Sequence, residues 1–122
     1  MYSNVRIKNR EIEPGIVVLE MTGRILMGPD CQLIEQEVEQ LLRQNQTRVI
    51  FDLSGVASID SVGVGKIVSC FSQVKKSGGS LRLAGVKGML EGVFKLVQVH
   101  KVIAIYPTAS DAAESFTLEG QR

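Results

Sequence analysis

The chain has 122 residues, 44% of them hydrophobic and 22% charged, which suits one domain around one core and excludes a disordered chain. The formal charge is +1, and only Lys75 and Lys76 are adjacent among 14 scattered basic residues. A basic stripe for nucleic acid is therefore absent, and without Trp there is little to stack on bases.

No apolar run approaches the roughly 18 residues that span a bilayer, so membrane insertion is not expected. Met1 to Asn4 lack the charged-then-apolar order of an export signal. A cytoplasmic protein is expected, one domain over residues 1–122 with a core from about residue 5 to 117. Cys31 and Cys70 form no CxxC motif and read as reduced helix residues.

Val5 to Ile12 alternates, with Val5 and Ile7 on one side and Arg6 and Lys8 on the other, which predicts a half-exposed strand. Pro14 and Gly15 turn the chain into a second, more buried strand over Ile16 to Met21. Gly23 to Gly28 reads as a loop. Pro29 suits a first helical position, and Ile34, Val38, Leu41 and Leu42 follow at helical spacing. Asp30, Glu35 and Glu37 lie early and Arg43 late, which suits the helix dipole.

Arg48 to Leu53 predicts a short buried strand. Val64, Ile67, Val68, Phe71 and Val74 then mark a helix that stops at Gly78 and Gly79. Leu81 to Ala84 is a strand, and Val86, Leu90, Val93, Phe94 and Val97 mark a third helix. Val102 to Tyr106 is the last strand. Pro107 and Thr108 open a final helix, with Thr108 and Asp111 at capping-box spacing. Gly120 to Arg122 are expected to fray.

The order ββαβαβαβα predicts an α/β fold with about four helices. Its mixed sheet begins as an antiparallel hairpin and continues as parallel strands joined by right-handed crossovers.

Motifs for catalysis fail in turn. Gly65-Lys66 is followed by Ile67, and the position five before Gly65 is Asp60, so there is no phosphate loop. Gly63-Val64-Gly65 begins a dinucleotide fingerprint that Val68 breaks. His100, the one histidine, reads as an exposed turn residue with no nucleophile beside it. One His and two distant Cys do not make a zinc site. No enzyme activity, metal or cofactor is expected.

Ser58 to Gly65 stands out. Ser61 sits where a helix N-cap belongs, and Val62, Gly63, Val64 and Gly65 bring no carboxylate to the first turn. Free amides and the positive dipole end then look uncompensated. Each glycine costs roughly 1 kcal/mol against Ala in a helix. Either Ser61 merely caps and the glycines make room for the sheet, or a partner surface approaches here.

The stretch Val49 to Val56, followed by Ile59-Asp60-Ser61-Val62-Gly63-Val64-Gly65, resembles the STAS domain, above all the stand-alone anti-sigma factor antagonists of bacteria. The likeness continues through Gly78 to Val86 and Ile105 to Thr108, and runs from about Val5 to Phe116. It implies a STAS-like fold and makes Ser61, directly after the aspartate, the phosphorylation site. It implies as partners an anti-sigma factor that is itself a serine kinase, and a phosphatase that reverses the modification. The unmodified form binds the kinase and frees the sigma factor. Asp60, Ser61, Val62, Gly63, Gly65 and Leu26 become the expected docking residues.

Two positions depart from that pattern. Leu26 stands where the family often has an aspartate, and Val62 where Ser or Thr is commoner. The resemblance therefore also carries an alternative: a constitutive interaction subunit of a transporter or of a larger signalling assembly.

Overall fold

The computed structural model describes residues 3–120. Its elements are β1 (Val5–Glu13), β2 (Ile16–Ile25), α1 (Pro29–Arg43), β3 (Arg48–Ile59), α2 (Ser61–Lys76), β4 (Ser80–Ala84), α3 (Met89–Leu96), a 3-10 turn (Val99–Lys101), β5 (Ile105–Tyr106) and α4 (Ala109–Gly120). The five strands form one sheet in the order β1-β2-β3-β4-β5, antiparallel between β1 and β2 and parallel elsewhere. The mixed sheet and four helices expected from the sequence are what the chain forms.

Strand alternation sorts the core into two layers. Val17, Leu19, Val49, Phe51, Leu81 and Leu83 point to the face covered by α1, α2 and α3. Ile16, Val18, Ile50 and Ala84 point to the other face, against Ala112, Ala113 and Phe116 of α4. On the first face α1 buries Ile34, Val38 and Leu41, each worth roughly 1.5–3 kcal/mol removed from water. On the thinner face the buried Arg82 stacks on the Phe116 ring, with 3.8 Å between guanidinium carbon and centroid. Arg82 also donates to Ser115 and pairs with Glu119.

α3 begins at Met89 and leaves Val86 ahead of it, and three strands differ more widely from the sequence reading. β2 continues through Gly23 to Ile25, where a loop was expected, and β3 runs on from Leu53 to Ile59. The two extensions pair with each other from Thr22–Gly55 to Ile25–Ile59, with register shifts between Glu20 and Thr22 and between Gly23 and Arg24. Those shifts space the buried Leu53, Val56 and Ile59 three apart, so the period-2 signature is lost. Gly23 has φ +100°, and a Cβ there would overlap the Asn4 carbonyl, so glycine is required for β1 to lie this close.

The last strand is the third. It shrinks from Val102–Tyr106 to Ile105–Tyr106. Gln98 turns left-handed (φ 62°), and the Ile103 amide donates to the Val99 carbonyl at 2.9 Å. Val99 and Ile103, one turn apart, enter the core while Val102 stays out, which is helical rather than strand periodicity. α4 opens as expected: the Asp111 amide donates to Thr108 Oγ1 at 3.1 Å, and that hydroxyl donates to Asp111 Oδ2 at 3.0 Å. Helix persists to Gly120, and the fraying expected of Gln121 and Arg122 lies outside the described residues.

Candidate functional site

The parallel strands β2 and β3 end side by side, Ile25 opposite Ile59. The chain then enters α1 from the first and α2 from the second, so residues 26–28 and residues 60–62 share one rim of the sheet. The Asp60 amide donates to the Ile25 carbonyl at 3.2 Å and ties the two exits together.

The N-cap of α2 is Asp60, and Ser61 is the first helical residue. This corrects the expectation that Ser61 caps the helix over uncompensated amides. Asp60 Oδ1 accepts from the Gly63 amide at 2.8 Å, and Oδ2 from the Met27 amide at 2.9 Å. A carboxylate outcompetes a hydroxyl there because it carries full charge toward the positive helix end. Its pKa is lowered, first by the Gly63 hydrogen bond and then by the Met27 one.

Beside this cap, Ser61 and Val62 are exposed, and Val62 is joined by Met27 at 69% exposure. The two glycines separate. Gly63 is buried, and a Cβ there would stand 2.7 Å from the Ile25 carbonyl oxygen and 2.8 Å from Ile59 Cγ1. It lets the first turn of α2 press against the strand ends. Gly65 is exposed and meets nothing within 4 Å of that position; no contact within the chain accounts for it.

Leu26 is half-buried on the opposite exit. Its amide donates to Asp30 Oδ2 at 2.9 Å. Asp30, only 1% exposed, also accepts from the amides of Asn4 and Val5 and from the Asn4 side chain. The sequence reading placed Asp30 among helix-dipole acids and missed this role, and it overlooked Met27. An aspartate in a first helical turn is the only signal Asp30 offers, and it does not reveal which amides the fold brings to it; Met27 offers none.

Beneath the rim, Lys66 of α2 pairs with Glu35 of α1. Each holds the other in its charged form: Lys66 is shifted up and Glu35 down, in both cases mainly by their mutual hydrogen bond. Cys31 and Cys70 are buried free thiols. Burial, then Asp60, raises the Cys31 pKa, and burial pushes that of Cys70 up to about 12, so both stay protonated and unreactive at neutral pH. His100 is exposed on the 3-10 turn, as expected. Among the described residues no three His, Cys, Asp or Glu side chains are grouped to hold a metal ion, and no helix is long and apolar enough to cross a membrane. What the rim offers is a hydroxyl beside a fixed carboxylate, set in an exposed patch with apolar flanks.

Known proteins share this architecture. A Thermotoga maritima protein provisionally named as an anti-sigma factor antagonist is 30% identical over 99 residues, spanning 80% of this chain and 88% of the relative. A crystal structure bearing the same provisional description, also from Thermotoga maritima, superposes with a TM-score of 0.78 at 26% identity, over 89% of this chain and 92% of the other. The Bacillus cell fate determinant SpoIIAA, in its phosphorylated form, shares the fold at 16% identity, with a TM-score of 0.71 over 91% of this chain and 99% of that one. The STAS domain model matches residues 8–112, and with the fold and these relatives it establishes that the chain belongs to the STAS domain family.

Proposed function

We propose that the protein is an anti-sigma factor antagonist switched by phosphorylation of Ser61. The unmodified form binds an anti-sigma factor that is also a serine kinase and so frees the sigma factor; the phosphorylated form does not bind, and a phosphatase restores it. One observation carries this reading: Ser61 is exposed on the first turn of α2, directly after a carboxylate that is already engaged by the Gly63 and Met27 amides. A phosphate adds about −1.5 to −2 charge beside Asp60, on a turn that needs no further cap. The added charge then changes the docking surface and leaves the fold intact. The names of the relatives agree with the antagonist role.

The docking surface in this reading comprises Asp60, Ser61, Val62 and Gly65 with Leu26; Gly63, also expected there, is buried against the strand ends and shapes the surface from beneath. Gly65 supports it, because the helix bears an exposed glycine that its own packing does not require. The protein is a kinase substrate here and not an enzyme, works in the cytoplasm, and needs no cofactor.

Intact-mass measurement after incubation with the cognate kinase and ATP tests the switch. One phosphate is expected on the wild type and none on Ser61→Ala. Modification confined to another residue, such as Ser58, overturns the assignment.

Leu26 favours a second reading. Its amide is held by Asp30 and its side chain brings no charge to the rim. A constitutive interaction subunit needs no charge there. Co-purification with a transporter assembly, together with Ser61 found unmodified in cells, decides for that reading.

A further inference from the structure

The outer side of α3 and the turn after it form a surface that the fold leaves unused. Among the described residues seven large hydrophobic side chains are exposed. Four of them, Met89, Leu96, Val97 and Val102, fall within residues 89–102, and Leu96 reaches 83% exposure. The same region is basic: residues 87–102 hold Lys87, Lys95 and Lys101 against Glu91 alone, while the rest of the chain holds 11 basic and 12 acidic residues. At mid-helix, Gly92 is exposed and meets nothing within 4 Å of where a Cβ would stand. It costs roughly 1 kcal/mol against Ala with no packing reason inside the chain. Met89 lies three residues before it and Leu96 four after, on the same side of the helix.

We infer that this face of α3 docks an acidic, amphipathic helix of a protein partner. Met89 and Leu96 meet its apolar stripe, Gly92 admits its backbone at short range, and Lys87 and Lys101, with Lys95 shared with Glu91 at 4.0 Å, attract its carboxylates. A bilayer fits less well. The patch holds none of the aromatic side chains that anchor at lipid interfaces, and a glycine adds nothing to insertion. A second copy of this chain fits less well again, because pairing the face with itself sets lysine-rich surfaces against each other. The inference does not rest on the Ser61 reading.

A photo-crosslinking amino acid placed at Leu96 of the full chain, in its native cells, tests it. Glu114, exposed on α4 across the sheet, is the control position. The expected adduct is a protein segment that is net acidic, with apolar residues at helical spacing. Its yield should fall about tenfold, the equivalent of ~1.4 kcal/mol, when Lys87→Glu and Lys95→Glu are combined. Gly92→Leu should also suppress it, while unchanged thermal unfolding shows the fold intact. An adduct with lipid or with a second copy overturns the inference, as does a yield no higher than at Glu114 or one unmoved by charge reversal.

Discussion

Asp30 and Asp60 both lie where a helix begins after a parallel strand, Asp30 as the second residue of α1 and Asp60 as the N-cap of α2, and they do different work. Asp30 is buried and gathers the amides of Asn4, Val5 and Leu26. Asp60 is half-buried at the rim and takes only those of Met27 and Gly63. The consecutive amides of Leu26 and Met27 are thus held by different carboxylates, and the exit of β2 is fixed between them. Burial, more than the count of hydrogen bonds, separates the pair. Loss of Asp60 leaves the Met27 amide open to water, whereas loss of Asp30 strands that of Val5 inside the protein.

The largest effect is therefore expected from Asp30→Ala, about 3 kcal/mol by urea unfolding, since the buried Val5 amide and the partly buried amides of Asn4 and Leu26 lose their acceptor together. A cost no greater than that of Asp60→Ala would break the comparison. Asp60→Ala should cost about 1 kcal/mol, the usual value of an N-cap, and Asp60→Asn should recover most of it. The pH dependence sharpens this. The Asp60 pKa lies below its ordinary value in the folded state, so its contribution is complete above the unfolded value of about 4 and is lost as pH falls through the folded one. Half exposure keeps the effect small. The stability gap between wild type and Asp60→Asn should narrow below about pH 4, as followed by acid titration of the urea midpoint. The smallest change is expected from Gly65→Ala, which fills open space and should stabilise α2 by up to ~1 kcal/mol. If the glycine serves a partner, the same variant should bind more weakly, and a calorimetric titration with the purified anti-sigma factor would show it.

Where hydrophobic residues keep a regular period, the sequence was enough to place the element. α1, α2 and the first half of β3 follow directly from Ile34, Val38 and Leu41, from Val64, Ile67 and Val74, and from Val49 and Phe51. The second half of β3 was hidden because Val56 and Ile59 follow bulge geometry. Ile103 reads as part of a strand, and Val99 as part of no element, because a single helical turn is too short to show a period. At the rim, the segment from Asp60 to Gly65 was legible as special, but the cap was assigned to the wrong side chain. The neighbouring pair Asp60-Ser61 offers two good capping residues, and only the approach of Met27 and Gly63 selects the carboxylate. Leu26 was found through its departure from a family pattern, whereas Met27, beside it and far more exposed, broke no pattern.

The grip of Asp30 on Asn4 reaches beyond stability. The Asn4 carbonyl in turn accepts from the Arg24 amide at 3.0 Å, so the start of β1 is bound on both sides to the strand exit that carries Leu26 and Met27. An affinity tag or fluorescent fusion placed ahead of Asn4 would pull on the very loop whose partner contacts it was meant to report. The same addition after α4, across the sheet from α1 and α2, leaves that loop alone, and a difference in partner recovery between the two fusions would measure how firmly the first strand governs the rim.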